Sequence, residues 1–429
     1  MATSRAPDRI AELRIRGLRT LADVHLKLGP ETIVIGANGS GKSSIAEACV
    51  ILYELSQPNF ATTFLGRHRG YSALRRFNAT TVEFSVRVEG MEDPLQYDIS
   101  LGDDSGALVI RSESLHIDPH RDPTRLSNIF ERKAGKAKAL TERKLHTLDG
   151  DTGKNARIEI EIAADVPLVS AFGIWPPHPA ISRLSKALNQ IYVQIGFATT
   201  PVWAAGSLGV TRSLRDTEVT QPADRLDFGG LNIANAFHAL RNDKPTSHWD
   251  ETMEYVRLGL GTEIESVAVK FDPGGGRSSL ELKWSGDDKR DPAWALSDGQ
   301  LSYLAFVAMF RLETPASLIV FDGPETHLHP GLIQRVMGFF DKMSERTNVL
   351  LFTHSDRLLD SIPDPAASTI LLELNQRREA LVRRPSAPQL ERWLETYNGI
   401  GSLRAEGYEA ALFAEPEKEP GGNPRAAEP

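Results

Sequence analysis

Near the amino end, Gly36-Ala37-Asn38-Gly39-Ser40-Gly41-Lys42-Ser43 has the spacing G-x-x-x-x-G-K-S, with Ser44 next in line. The residue types suit a polyphosphate. Glycines let consecutive backbone N–H groups turn inward on an anion, and a helix starting at the loop adds the positive end of its dipole. The Lys42 ammonium would neutralise the outer phosphates, and the Ser43 hydroxyl would reach a magnesium ion. The pattern needs a strand before it and a helix after it. Ile33, Val34 and Ile35 form the continuous apolar run of a strand buried on both faces, and Ile45, Ala46, Cys49 and Leu52 follow at helical spacing. Residues 36–44 are therefore assigned to ATP.

Three later segments carry related chemistry. Residues 317–322, Ser-Leu-Ile-Val-Phe-Asp, read as an apolar strand ending in a carboxylate. Such a strand is expected beside the loop strand, with Asp322 holding the magnesium through water. Many buried strands end in Asp, so the pattern gains its weight from its company. In Leu296-Ser297-Asp298-Gly299-Gln300, Ser297, Gly299 and Gln300 sit where a helix begins, ahead of Leu301, Tyr303, Leu304, Val307 and Ala308. A small polar loop there can hold a phosphate. His354 follows the apolar residues 349–352 and is placed to sense a γ-phosphate, the alternative being a structural histidine.

Other elements must position these pieces. Leu13 and Ile15, then Val24, Leu26 and Leu28, alternate as half-buried antiparallel strands do. From Phe60 to about Pro167 short alternating strands are expected, for example Val82, Phe84, Val86 and Val88, and the region reads as an insertion. Residues 182–242 read as mostly helix and loop. Residues 262–284 read as a hairpin pair around Pro273-Gly274-Gly275-Gly276. A basic stretch, with Arg132, Lys133, Lys136, Lys138, Arg143 and Lys144, is either a nucleic-acid contact or a solvated helix face or loop. The tail beyond Ala414, rich in Glu, Pro and Gly, reads as disordered.

Composition narrows the classes. The chain has 429 residues, 41% of them hydrophobic, and a net charge of −8. That mixture belongs to soluble globular proteins with room for a large core. The acidic balance argues against indiscriminate phosphate binding over the whole surface. The single cysteine, Cys49, excludes an intramolecular disulfide and reads as a small buried apolar side chain. No run approaches the ~18 apolar residues of a membrane span, so a cytoplasmic location is expected.

Taken in order, the motifs resemble the ABC-type ATPase heads of the SMC and RecF class, most closely the AAA family ATPases allied to OLD-type proteins. The resemblance rests on Asn38 within the phosphate loop, the strands of residues 10–28, the Leu-Ser-Asp-Gly-Gln signature, and Pro324-Glu325-Thr326-His327-Leu328-His329-Pro330. It implies an α/β P-loop NTPase head with a mixed central sheet, antiparallel N-terminal strands and an inserted α+β and helical region. The expected division is 1–60 and 286–414 for the two halves of the head, 61–285 for the insertion and 415–429 for the tail. It further implies a homodimer, assembled head to tail around ATP and Mg2+, in which Ser297, Gly299 and Gln300 complete the partner's site and His354 is the switch.

One departure matters. The resemblance places a glutamate after Asp322 to polarise the attacking water, and here that residue is Gly323. Losing a positioned base costs ~10² to 10⁴ in rate, about 3 to 5 kcal/mol. Glu325 is the nearest replacement, and a slow ATPase using Glu325 or His354 is expected. A non-hydrolysing ATP-binding scaffold is the competing reading. A transporter motor and a nuclease fit less well, since neither a coupling surface nor an acidic metal domain is legible. Any effector is therefore expected in a separate partner protein, with DNA a further candidate, in genome maintenance or anti-phage defence. His327 and His329 admit a zinc reading or a packing role. Arg212 and Arg215 admit a phosphate or DNA contact or a surface salt bridge. None of Gln96, Gln190 and Gln194 suits a magnesium-sensing glutamine.

Overall fold

Ile33, Val34 and Ile35 are fully buried in an interior strand of the central sheet. The computed structural model describes residues 8–118, 128–133, 136–141, 156–172, 176–201, 212–385, 390 and 399–406. In β3 (Glu31–Ile35), Val34 enters one hydrophobic core while Ile33 and Ile35 enter another. A strand apolar on both faces needs cover on both, which a parallel sheet between helical layers supplies. The order is β10 (Ile191–Ile195), β15 (Leu318–Asp322), β16 (Asn348–Phe352), β3, β17 (Thr369–Leu374), β18 (Ala380–Arg383), parallel throughout except for β18. Ile35, Asp322 and Phe352 consequently end at one carboxyl edge.

Two expectations change here. The Asp322 strand does not lie beside the loop strand, because β16 intervenes. Val349, Leu350, Leu351 and Phe352 are all fully buried, so β16 is as apolar on both faces as β3 and takes an interior place. In the stretch expected to be helix and loop, Ile191–Ile195 is a strand of this same sheet, although it lies within 61–285. Five apolar-rich residues following a helix carry too short a period to stand apart.

An eight-stranded antiparallel sheet joins β2 (Leu21–Lys27), β1 (Arg9–Leu18), β4 (Val82–Glu89), β5 (Leu95–Asp104), β6 (Ala107–Ile117), β7 (Asn128–Lys133), β8 (Lys136–Thr141) and β9 (Ala156–Glu161) in that order. The alternation read at Leu13, Ile15, Val24 and Leu26, and again from Val82 to Val88, puts those side chains in its core. Phe60–His68 and Tyr71–Leu74 are helices, not strands, and Phe60, Phe64 and His68, four apart, make the buried face of the first. Where it is described, the basic stretch is paired strand: Arg132 and Lys133 lie in β7, Lys136 and Lys138 in the antiparallel β8, and Arg132 is fully buried. Arg132 donates to the carbonyl oxygens of Val166 at 2.8 Å and Ala163 at 2.6 Å and stands 3.8 Å from the buried Glu113 carboxylate. Arg143, Lys144 and the tail 415–429 lie outside the described residues. A third sheet holds the expected hairpin, β12 (Ile264–Phe271) and β13 (Arg277–Trp284), with β11 (Glu218–Val219) and β14 (Arg290–Pro292) on β13. Among the described residues no helix is long and apolar enough to cross a membrane.

Helix α1 (Lys42–Leu55) carries the phosphate loop at its start and packs under β15 and β10. Cys49 is buried in it, its thiol pushed up to about 12 by desolvation. Glu47 and Glu54 on α1 grip the buried His68 ring from both sides, Nδ1 at 2.8 Å and Nε2 at 3.1 Å, while Arg19 pairs with Glu47 and Arg67 with Glu54. Burial pulls the His68 pKa down, but the hydrogen bonds and charges of the two glutamates outweigh it, and the net shift is upward from 6.5. A raised folded pKa adds stability that is fully present below the unfolded value and is lost as pH rises through the folded one. Urea midpoints measured from pH 6 upward are therefore expected to fall, and His68→Gln to flatten that slope.

Candidate nucleotide site

The loop after β3 is shaped by close approaches. A Cβ on Gly36 would stand 2.2 Å from the Leu372 carbonyl oxygen of β17, so only glycine fits. Gly41 caps α1 at φ 117, a left-handed value that glycine alone adopts cheaply. Ala37, Asn38 and Gly39 are exposed at the loop's rim, Ser40 is buried, and Ser44 turns inward on α1. Among the described residues the buried Ser40 hydroxyl has no hydrogen-bond partner. Lys42 lies along the loop, its Nζ donating to the carbonyl oxygens of Gly36 at 2.6 Å and Ala37 at 3.0 Å.

The Ser43 hydroxyl donates to Asp322 Oδ2 at 3.0 Å, so α1 spans the intervening β16 and joins the ends of β3 and β15. Burial raises the Asp322 pKa, against which the Ser43 hydrogen bond and the Lys42 charge pull downward. A hydroxyl and a carboxylate, both hard oxygen donors, fit magnesium. Next comes Gly323 at φ 69, its N–H bonded to the Phe352 carbonyl oxygen at 2.8 Å. The turn closes with the Thr326 N–H on the Gly323 carbonyl oxygen at 3.0 Å and swings Glu325 back over the edge. Glu325 Oε1 accepts the His354 N–H at 3.0 Å. Its Oε2 is buried and, among the described residues, lacks a hydrogen-bond partner. Burial lowers the His354 pKa, as do the Lys42 and Arg404 charges, with Glu325 and Asp322 opposing them. The shift favours the neutral ring, which can accept one hydrogen bond and donate another.

Arg404 escaped sequence reasoning. Its Nη1 reaches the His354 carbonyl oxygen at 3.4 Å and Asp356 Oδ1 at 3.2 Å from helix Ile400–Ala405. Ile400 and Leu403 anchor that helix in the core, and the Ser402 N–H and hydroxyl both bind the Asp360 carboxylate. No spacing in the sequence ties a lone arginine to a histidine fifty residues earlier.

Ser297, Gly299 and Gln300 are held together but border a different hollow. Ser297 is the N-cap of helix Asp298–Arg311: its hydroxyl accepts the Gln300 N–H at 3.2 Å, while Gln300 Oε1 accepts the Ser297 N–H at 2.8 Å. A Cβ on Gly299 would be 2.9 Å from the His327 carbonyl oxygen, which fixes that position as glycine. The three residues line an open concavity of ≈ 610 Å³ with Gly259, His327 and Leu332, in which residues 36–44 take no part. His329 caps helix Pro330–Ser344, its Nδ1 accepting the Gly331 N–H at 3.2 Å, and the described residues contain no cluster of three or more His, Cys, Asp or Glu able to hold a metal. Gln194 is buried in β10 and bonds the backbone of Asp227 and Gly229. Arg215 is buried beside the Ser297 loop, not at the surface. A second cavity of ≈ 570 Å³, near Gln190, Lys342 and Thr347, lies at the opposite, amino edge of the central sheet.

Compared with known families, residues 32–360 match the model described as "AAA domain, putative AbiEii toxin, Type IV TA system". The chain belongs to this AAA family. No curated protein matches it. Among solved structures it is similar to an Smc head bound to the C-winged helix domain of ScpA, at 15% identity and TM-score 0.48, over 90% of this chain and 99% of that one. It is similar also to an Smc head with an extended coiled coil bound to the C-terminal domain of ScpA derived from Pyrococcus furiosus, at 15% identity, TM-score 0.49, 90% and 99%. An SMC head domain from Thermotoga maritima matches at 11% identity, TM-score 0.38, over 88% and 100%. The AAA chain thus joins a mixed α/β fold to a glycine loop whose serine meets the strand-end carboxylate.

Proposed function

We propose that the protein is a slow ATPase acting as a switch. The observation that supports this reading is the hydrogen bond from Ser43 to Asp322, a pair of oxygens of the kind that suits magnesium, near Lys42 and the edge where Glu325 and His354 meet. Residues 36–44 would hold the triphosphate, with Ser43 and Asp322 toward the magnesium. When bound, magnesium supplies charge neutralisation on the outer phosphates. Glu325 then orients the attacking water and His354 reads the terminal phosphate. Because Ser297, Gly299 and Gln300 face another hollow, they serve the nucleotide of a second copy, and two chains close head to tail around ATP. The closed state controls a separate effector protein or engagement with DNA, in genome maintenance or anti-phage defence, and the OLD-type alliance and the division into two head halves around 61–285, with β10 of that region completing the central sheet, belong to the same proposal.

Gly323 favours a second reading, an ATP-binding scaffold without turnover. Steady-state ATP hydrolysis by the purified chain, measured beside Lys42→Ala, separates the two. Hydrolysis by the natural chain alone supports the switch; ATP binding without hydrolysis makes the scaffold the answer. Lys42→Ala is expected to weaken ATP binding about 10- to 100-fold, the equivalent of one charged hydrogen bond.

Restoring the missing glutamate is not expected to help. At φ 69 a side chain on residue 323 is strained by about 1–2 kcal/mol, and its Cβ would lie 2.9 Å from the Thr326 hydroxyl. Gly323→Glu should melt earlier than the natural chain and hydrolyse ATP no faster, as parallel melting and turnover assays would show.

A further inference from the structure

Arg215 is a buried cation that the phosphate loop does not use. Its side chain is 5% exposed. Nη1 donates to the carbonyl oxygens of Ala293 at 3.4 Å, Trp294 at 3.2 Å and Leu296, and Nη2 meets Asp298 Oδ1 at 2.6 Å. Three carbonyl dipoles and a carboxylate therefore converge on one guanidinium, immediately before and at the start of the helix that Ser297 caps. Without a cation there, these oxygens would repel one another and the segment would open. A lysine could supply the charge but not the planar fork.

The opposite side of the guanidinium faces another way. Nε donates to the Thr199 carbonyl oxygen at 2.8 Å. Thr199 follows β10, whose Ile195 is in register with Asp322. The Ser213 hydroxyl bonds the carbonyl oxygens of Ala198 and Thr200, both at 2.9 Å, and Phe197 packs edge-on against Phe306 and Phe321. A continuous packed and hydrogen-bonded path thus runs from the strand beside Asp322, through Arg215, to the Ser297 loop.

We propose that Arg215 is the positioning residue for residues 297–300, fixing the shape in which that loop serves the nucleotide held by a second copy. The inference rests on the head-to-tail reading above. It requires Arg215→Met to bind ATP in its own loop, to lose turnover, and to be rescued in trans by a chain whose own loop is dead.

The test mixes purified full-length variants pairwise. Arg215→Met and Lys42→Ala should each be inactive. Mixed in equal amounts they form dimers with one intact composite site, and up to about a quarter of the natural turnover returns, since half the dimers are mixed and half of their sites are whole. Ser297→Arg mixed with Lys42→Ala is the control for the shared site. Rescue in both mixtures, with Arg215→Met binding a fluorescent ATP analogue within about twofold of the natural chain, is the expected result. Rescue by Ser297→Arg but not by Arg215→Met, or full turnover by Arg215→Met alone, overturns the role of Arg215 and leaves the shared site standing. Rescue in neither mixture overturns both. If Arg215→Met fails to fold, Arg215→Lys is judged by the same criteria.

Discussion

Glu325→Gln should bind ATP as the natural chain does while its turnover falls about 10²- to 10⁴-fold, the loss that follows when a positioned base is removed. Glutamine keeps the size and the Oε1 acceptor, so the bond from the His354 N–H at 3.0 Å survives. What disappears is the negative charge and the basic oxygen at Oε2, the atom that is buried and unpartnered among the described residues. A buried acceptor without a donor costs stability unless something else uses it, and a water aligned on a phosphate is such a user. Single-turnover hydrolysis and nucleotide titration on the same variant check the split. Equal turnover in the two proteins would remove Glu325 from the chemistry and point to His354.

Arg132→Met should destabilise the chain by about 3–5 kcal/mol, the usual result of removing one member of a buried ion pair. The change strands the Glu113 carboxylate, whose pKa burial already raises, and takes the guanidinium donors from the carbonyl oxygens of Val166 and Ala163, of which Ala163 keeps the Val166 N–H. Glu113 would keep only the Tyr97 hydroxyl and the N–H groups of Leu168 and Val169. Adding Glu113→Gln removes the stranded charge and keeps an oxygen for the Tyr97 hydroxyl and the Val169 N–H, but sets its amide nitrogen against the Leu168 N–H, so the double variant should recover only part of the loss. Urea unfolding of the two proteins measures the difference. A large loss would establish Arg132 as a structural residue of the β7–β8 hairpin, whereas a cation serving only a surface ligand would leave stability unchanged.

The readability of these sites from sequence followed the range of the interactions involved. The phosphate loop, α1, the Ser297 cap and the β12–β13 hairpin are made by neighbours in the chain, and their residue types announce them. The apolar runs that became β15 and β16 were equally plain. Their order was not, because which of two fully buried strands sits next to β3 is decided by packing across the whole sheet. Arg132, Arg215 and Arg404 show the same limit from the other side: an arginine has one composition signature whether it lies in solvent or forks onto buried carbonyls. Their partners are far away in sequence, 83 residues for Arg215 and Asp298 and 50 for Arg404 and His354. His329, open to a zinc reading by type, is explained by a local helix cap that the following Pro330 makes legible in retrospect.

The left-handed turn at Gly323 also bears on the route by which such a chain could change. Replacing one codon would put a carboxylate after Asp322 but on a backbone pointed away from the right-handed and extended conformations that other residues prefer. The turn itself would have to be rebuilt first, which would release Glu325 from the His354 N–H before any new group could take over. A single exchange at Gly323 thus supplies a carboxylate without the backbone to aim it, and variation that keeps this turn is confined to the residues around it.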